Sequence, residues 1–312
     1  MRYFDLHCDT ITECFVKKEA LAENRLAVSI KSAQDFETWV QVFAVWMPDD
    51  LRGPAAWQRF LDVAQTLRSE TEQNGIPLCT DADALERAVN SGSKRAAILS
   101  IEGSAALGGR IENLAIAHAI GVRLITITWN GACEAGGGCL DGGGLSDYGI
   151  SLVKEMERLR IVPDISHLSD KGFDDLIHVY SAPVVATHSN SRAVCENRRN
   201  LTDDQFREIV RRGGVIGLNL YPPFMGDDSI CEIIPHIDHF LSLGGEDVLA
   251  IGADFDGAPM PKEIAGIADM VKLHTLLRKN YGEKVADKIF FCNAYNFFKT
   301  VLTKSGADVI ID

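Results

Sequence analysis

Short apolar and β-branched runs return along the whole chain, each followed by a segment with apolar residues at helical spacing. The runs are YFDLH (3–7), VQVFAVW (40–46), AAILSI (96–101), RLITITW (123–129), RIVPDI (160–165), PVVAT (183–187), GVIGLNL (214–220) and VLAIGA (248–253). They are continuously apolar rather than alternating, the pattern of strands covered on both faces. Between them, AAWQRFLDVAQTLRSETEQ, DADALERAV, NLAIAHAIG, LSDYGISLVKEMERLR, DKGFDDLIHVY, LTDDQFREIVRRGG and CEIIPHIDHFLSLGG predict helices, several with acidic first turns or closing glycines. This alternation predicts an α/β protein, a (β/α)8 TIM barrel forming a single domain over residues 1–312. The alternative, a doubly wound open sheet, gathers its chemistry at one switch point. Here the polar residues that interrupt the apolar runs stand at the ends of many non-adjacent strands, which favours the barrel.

Composition narrows the function more than the fold. The formal charge of −13 argues against nucleic acid or an anionic membrane as partner, since both need a basic footprint. No stretch approaches 18 consecutive apolar residues and the first residues do not read as a signal peptide, so a cytoplasmic protein is expected. The eight cysteines stand singly with no CxxC pair, as expected of reduced thiols. The segment NGACEAGGGCLDGGGLSD (130–147) holds seven glycines but lacks the context of a phosphate loop. It reads as a flexible loop after the fourth strand.

The candidate chemistry sits where the strands should end. His7 and Asp9 are two apart in an extended segment, so both side chains point the same way and can reach one metal ion. Glu102 closes AAILSIE, where a buried carboxylate is costly unless paired or metal-bound, and its two oxygens can bridge two ions. His167 and His188 each follow an apolar run, and neutral imidazole suits a borderline-soft ion such as zinc. Asp254, in AIGADFDG, ends the eighth run and can carry a proton to a leaving amine, whereas Asp256 before a glycine suits a turn. The arginines of ENRRN (196–200) suit a substrate carboxylate. Histidines 118, 178, 236, 239 and 274 lie in helical patterns and are expected to be structural or on the surface.

These residues, with THSNSRAVCENRRNLTD, HIDHF, IGADFDG and NFFKTVL, resemble the membrane dipeptidase family, peptidase family M19, over nearly the whole chain. The resemblance implies a metal-dependent hydrolase with two Zn2+ ions: His7 and Asp9 on one, His167 and His188 on the other, and Glu102 bridging. It implies Arg199 as anchor for the carboxylate of a dipeptide, Asp254 as the proton carrier, and hydrolysis by a hydroxide bridging the metals. Members often accept a D-residue at the C-terminal position, so L-D dipeptides are among the expected substrates. A homodimer and a bacterial-type cytoplasmic form are also implied. One position departs from the pattern. After the fourth strand the better-studied members carry a histidine that contacts substrate, where this chain has Trp129, followed by Asn130 as a substitute oxyanion donor. Another metal-dependent amidohydrolase, of deacetylase or lactonase type, is the nearest alternative, although such barrels often begin with HxH and bridge through a lysine. A non-catalytic metal- or peptide-binding barrel is the other. A nicotinamide-dependent oxidoreductase would need a glycine fingerprint that is missing.

Overall fold

The computed structural model describes residues 1–302; residues 303–312, the end of the expected domain, lie outside them. Eight parallel strands close into a barrel in chain order: β1 (Arg2–Cys8), β2 (Thr38–Trp46), β3 (Arg95–Glu102), β4 (Val122–Thr126), β5 (Val162–Asp164), β6 (Val185–Ala186), β7 (Val215–Leu218) and β8 (Leu249–Ile251). The ring closes where Asp5 of β1 pairs with Ile251 of β8. Helix α1 (Thr10–Lys17) follows β1, and α2 (Gly53–Gln73) and α3 (Ala82–Asn90) follow β2. Then α4 (Glu112–Ile120), α5 (Asp147–Leu159), α6 (Asp170–Val179) and α7 (Asp203–Arg211) follow β3 to β6 in turn. The short α8 (Pro222–Met225) and α9 (Ile233–Ser242) precede β8, and α10 (Met270–Asp287) and α11 (Asn293–Val301) follow it. The predicted (β/α)8 architecture is therefore present. No helix among the described residues is long and apolar enough to cross a membrane.

The helices start where short polar side chains can satisfy their first amides. Asp81 accepts from Ala84 N (2.7 Å), Ser146 from Gly149 N (3.0 Å) and Ser169 from Gly172 N (3.0 Å). Thr202 and Gln205 form a reciprocal capping box on α7. Four helices stand outside the predicted set. In α1, the β-branched Thr10, Ile11 and Thr12 weaken helical propensity, and burial of Ile11 and Cys14 compensates. The very short α8 begins at two prolines. In α10, Gly282 at φ 80° interrupts the periodicity. Strands β4 to β8 are shorter than their apolar runs, because burial continues past the ladder: Ile127, Ile165, Thr187, Leu220 and Ala253 are all buried.

Contacts are densest within two halves, residues 1–44 with 184–295, and residues 45–183 with the chain from 296. In the first half Tyr3 and Phe4 lie against Phe290 and Phe291, and Phe206 stacks on Phe240 at 4.4 Å. Backbones also approach closely there. A Cβ at Gly217 or Gly252 would meet Thr187 O at 1.9 or 1.7 Å, so neither position admits a side chain. In the second half Trp57 stacks on Phe60 at 5.2 Å, and Leu67, Leu114, Leu152 and Met156 are buried.

Candidate metal centre

In the first half, β1 delivers His7 and Asp9, both buried, with His7 Nε2 3.4 Å from Asp9 Oδ2. Two residues earlier the buried Asp5 braces this strand end, its Oδ1 accepting from His7 N (3.2 Å) and Ala253 N (3.0 Å) and its Oδ2 from Tyr3 OH (2.8 Å). Burial pushes the Asp5 carboxyl up to about 6 despite these donors. The ring of His188 lies 4.0 Å from that of His7, centroid to centroid. Thr187 Oγ1 sits 2.8 Å from Nδ1 of His188 and 3.5 Å from Nδ1 of His7, which turns both Nε2 atoms away from the threonine. Asp254 stands at φ 68° just past β8, and its amide donates to His7 O (3.3 Å). Asn219 Nδ2 donates to Asp254 Oδ2 at 3.1 Å. Gly257 lets the carboxylates of Asp9 and Asp254 come close, since a Cβ there would meet their oxygens at 2.1 and 2.5 Å. Asp256 turns elsewhere, accepting from Thr10 Oγ1 (2.5 Å) and Ala27 N (2.8 Å), the turn duty expected of it.

The two arginines before α7 part company. Arg198 is exposed, while Arg199 is buried, donates Nη2 to His188 O at 3.2 Å and lays its guanidinium 5.3 Å from the Phe224 ring centroid. Arg199 thus lies beside a strand-end histidine.

In the second half, Glu102 ends β3 and lies 2.9 Å from His167 Nε2. Asp164 repeats the brace of Asp5: its Oδ1 accepts from Ser166 N (3.0 Å) and its Oδ2 from Thr126 Oγ1 (2.7 Å), just before His167. His167 adopts φ 67°. Its Nδ1 is 2.8 Å from Asn130 Oδ1. Trp129 lies past the end of β4, half-buried, edge-on to Trp46 at 5.1 Å and 6.2 Å from the His167 ring. The segment read as a flexible loop is bonded to its surroundings, where Cys139 N donates to His167 O (2.8 Å) and Ser169 N to Gly137 O (3.3 Å), and to itself, where Leu140 N donates to Asn130 O (3.0 Å).

Within the first half, the buried side chains of His7, His188 and Asp254 bring candidate ligand atoms within 4.8 Å of one another. The donor set fits divalent cations. It mixes imidazole nitrogen with carboxylate oxygen, and carboxylates gathered out of water are stabilised by positive charge.

Sequence reasoning passed over the braces. Asp5, Asp164, Thr187 and Asn219 sit inside apolar runs, and a polar residue in such a run was the available signal. Among the histidines set aside, His236 is buried and structural: Nδ1 accepts from Ser191 N (3.1 Å) and Nε2 donates to Met225 O (2.9 Å).

Comparison with known proteins agrees with this geometry. The family model described as membrane dipeptidase (peptidase family M19) matches residues 1–307. A Klebsiella pneumoniae protein, known as an uncharacterized protein in the pqqA 5′ region, is 34% identical over 261 residues, 78% of this chain and 95% of its own length. Among solved structures, the dipeptidase AC of family M19 superposes with a TM-score of 0.91 at 27% identity, covering 97% of this chain and 99% of that one. A metallopeptidase from Rhodobacter sphaeroides, liganded with a phosphinate mimic of the dipeptide L-Ala-D-Ala, gives a TM-score of 0.88 at 27% identity, covering 96% of this chain and 99% of its own. A barrel with buried His, Asp and Glu at its strand ends, matched along its length, places this chain in the membrane dipeptidase family M19, as a metal-dependent peptidase.

Proposed function

We propose that the protein is a dipeptidase with two Zn2+ ions, cutting the peptide bond of dipeptides that keep a free C-terminal carboxylate, L-D pairs among them. The observation that carries this reading is the buried group of His7, His188 and Asp254, whose candidate ligand atoms lie within 4.8 Å of one another in the first half. His7 and Asp9 would hold one ion, His167 and His188 the other, and Glu102 would be shared by both. The ions, when bound, would supply an activated water and polarise the scissile carbonyl. Arg199 binds the substrate carboxylate, which confines the enzyme to short substrates. Asp254 accepts a proton and delivers it to the leaving nitrogen, its carboxylate oriented by Asn219. Trp129 and Trp46 offer an apolar wall beside His167, and Asn130 lies at the same rim. Support for L-D substrates comes from the Rhodobacter sphaeroides neighbour, which was captured with a mimic of L-Ala-D-Ala. The same reading treats the chain as one domain, acting in the cytoplasm as a homodimer.

The test is a panel of L-L and L-D dipeptides offered to zinc-loaded protein, with the metal content measured alongside. Two zinc ions per chain and turnover of at least one dipeptide class are expected. Protein that holds both ions yet cleaves no dipeptide would overturn the substrate assignment, and protein that takes up none would overturn the metal centre.

A further inference from the structure

The glycine-rich segment after β4 explains nothing in the reading above, yet it makes contacts specific to one site residue. Thr128 Oγ1 and Cys139 N both donate to His167 O, at 3.3 and 2.8 Å. Gly138 bridges to Leu168, the next residue. A side chain at Gly138 is excluded, because a Cβ would lie 2.5 Å from Trp129 O and 2.3 Å from Asn130 O. The segment therefore folds back over residues 129–130 and grips the turn that carries His167. At the centre of the grip, Asn130 Oδ1 is 2.8 Å from His167 Nδ1 and 3.6 Å from the Cys139 thiol. A thiol is a weak donor, which is consistent with an amide oxygen at that point.

We propose that Asn130 is a positioning residue: its side-chain oxygen accepts from Nδ1–H of His167, fixing the tautomer whose Nε2 lone pair faces Glu102. The inference rests on the two-metal reading and adds a residue to it. Imidazole presents a lone pair on one nitrogen only when the proton is on the other, and the partner of the second nitrogen decides which. The Nε2 atom lies 2.9 Å from Glu102 Oε1, on the side where an ion shared with Glu102 would sit. His7 and His188 have the hydroxyl of Thr187 in the corresponding place. Asn130 thus acts through a metal ligand rather than on the substrate, and Gly136, Gly137 and Gly138, where a Cβ would strike main-chain oxygens, let the chain pack closely enough to hold it there.

The experiment is a titration of metal-free wild type, Asn130→Leu and Asn130→Asp with Zn2+ by calorimetry, repeated with Co2+ to read the ligand field by absorption. Aspartate keeps an acceptor for Nδ1–H, and leucine keeps bulk without one. In Asn130→Leu, one of the two ions is expected to bind about 10- to 100-fold more weakly, with an altered cobalt spectrum. Asn130→Asp is expected to bind both ions like wild type. Wild type binding two ions with Asn130→Leu unchanged would overturn the role of Asn130 alone. So would an Asn130→Asp protein as weakened as the leucine variant. Wild type that takes up no ion would overturn the two-metal reading and this inference with it. Should the leucine variant not fold, Asn130→Asp decides: two ions bound as in wild type support the role, and a weakened ion overturns it.

Discussion

Arg198 and Arg199 are adjacent in sequence, one exposed and the other buried against His188 and Phe224. That difference sets a kinetic expectation. Charge-assisted hydrogen bonds are worth about 1.5–3 kcal/mol, so Arg199→Met should raise KM for free dipeptides by roughly 10- to 100-fold. Dipeptide amides, which lack the carboxylate, should separate wild type and variant far less, and Arg198→Met should behave as wild type. Steady-state kinetics on both substrate forms check this, and equal losses on acid and amide would remove Arg199 from carboxylate binding. Glu102 makes the other expectation at this scale. Glu102→Gln keeps the shape of the side chain and removes its charge, so elemental analysis should find fewer than two ions per chain and activity should fall by more than about 100-fold. Glu102 was legible because its charge closes an apolar run, whereas Arg199 stands in the polar ENRRN and was singled out by the family resemblance. Asn130 was legible as a polar rim residue, but its partner was not, since the contact depends on a main-chain fold-back that spacing does not reveal.

Among the elements, the order of strands and helices could be read from periodicity, while the lengths of β4 to β8 could not. Apolar side chains are needed wherever the chain is buried, and Ile127 or Leu220 is buried without extending a strand. The packing of β6 against β7 and β8 rests on absent side chains. Gly217→Ala would place a methyl group 1.9 Å from Thr187 O, directly before His188, and is expected to cost about 3 kcal/mol. Chemical denaturation measures that loss. Helix α4 carries a pH response of its own. Burial, and then the charge of Arg123, lower His118 from 6.5 to about 4. Between those values the unfolded chain takes up a proton that the folded chain refuses, so stability falls as the pH drops through that window. His118→Gln should flatten the fall in Tm from pH 6.5 to 4; parallel curves would show that His118 contributes nothing to it.

For the whole molecule, a metal ion held by buried His, Asp and Glu side chains would tie folding to metal. An ion that binds only the folded chain adds about 2.7 kcal/mol at a 100-fold excess over its Kd. Chelation should therefore lower Tm by several degrees, and zinc should restore it; a Tm indifferent to both would speak against a resident ion. One domain predicts coincident unfolding by fluorescence and circular dichroism, and two separated transitions would divide the chain.

Asp254 and His167 both hold left-handed backbone, a conformation that costs most side chains about 1–2 kcal/mol and glycine almost nothing. An alanine scan would therefore misjudge these two positions. Alanine removes the functional group but inherits the backbone penalty, so lost abundance would be counted as lost chemistry. Glycine is the fairer blank. Asp254→Gly should be as inactive as Asp254→Ala yet accumulate in the cell at a higher level, a gap that soluble expression measured beside turnover would expose.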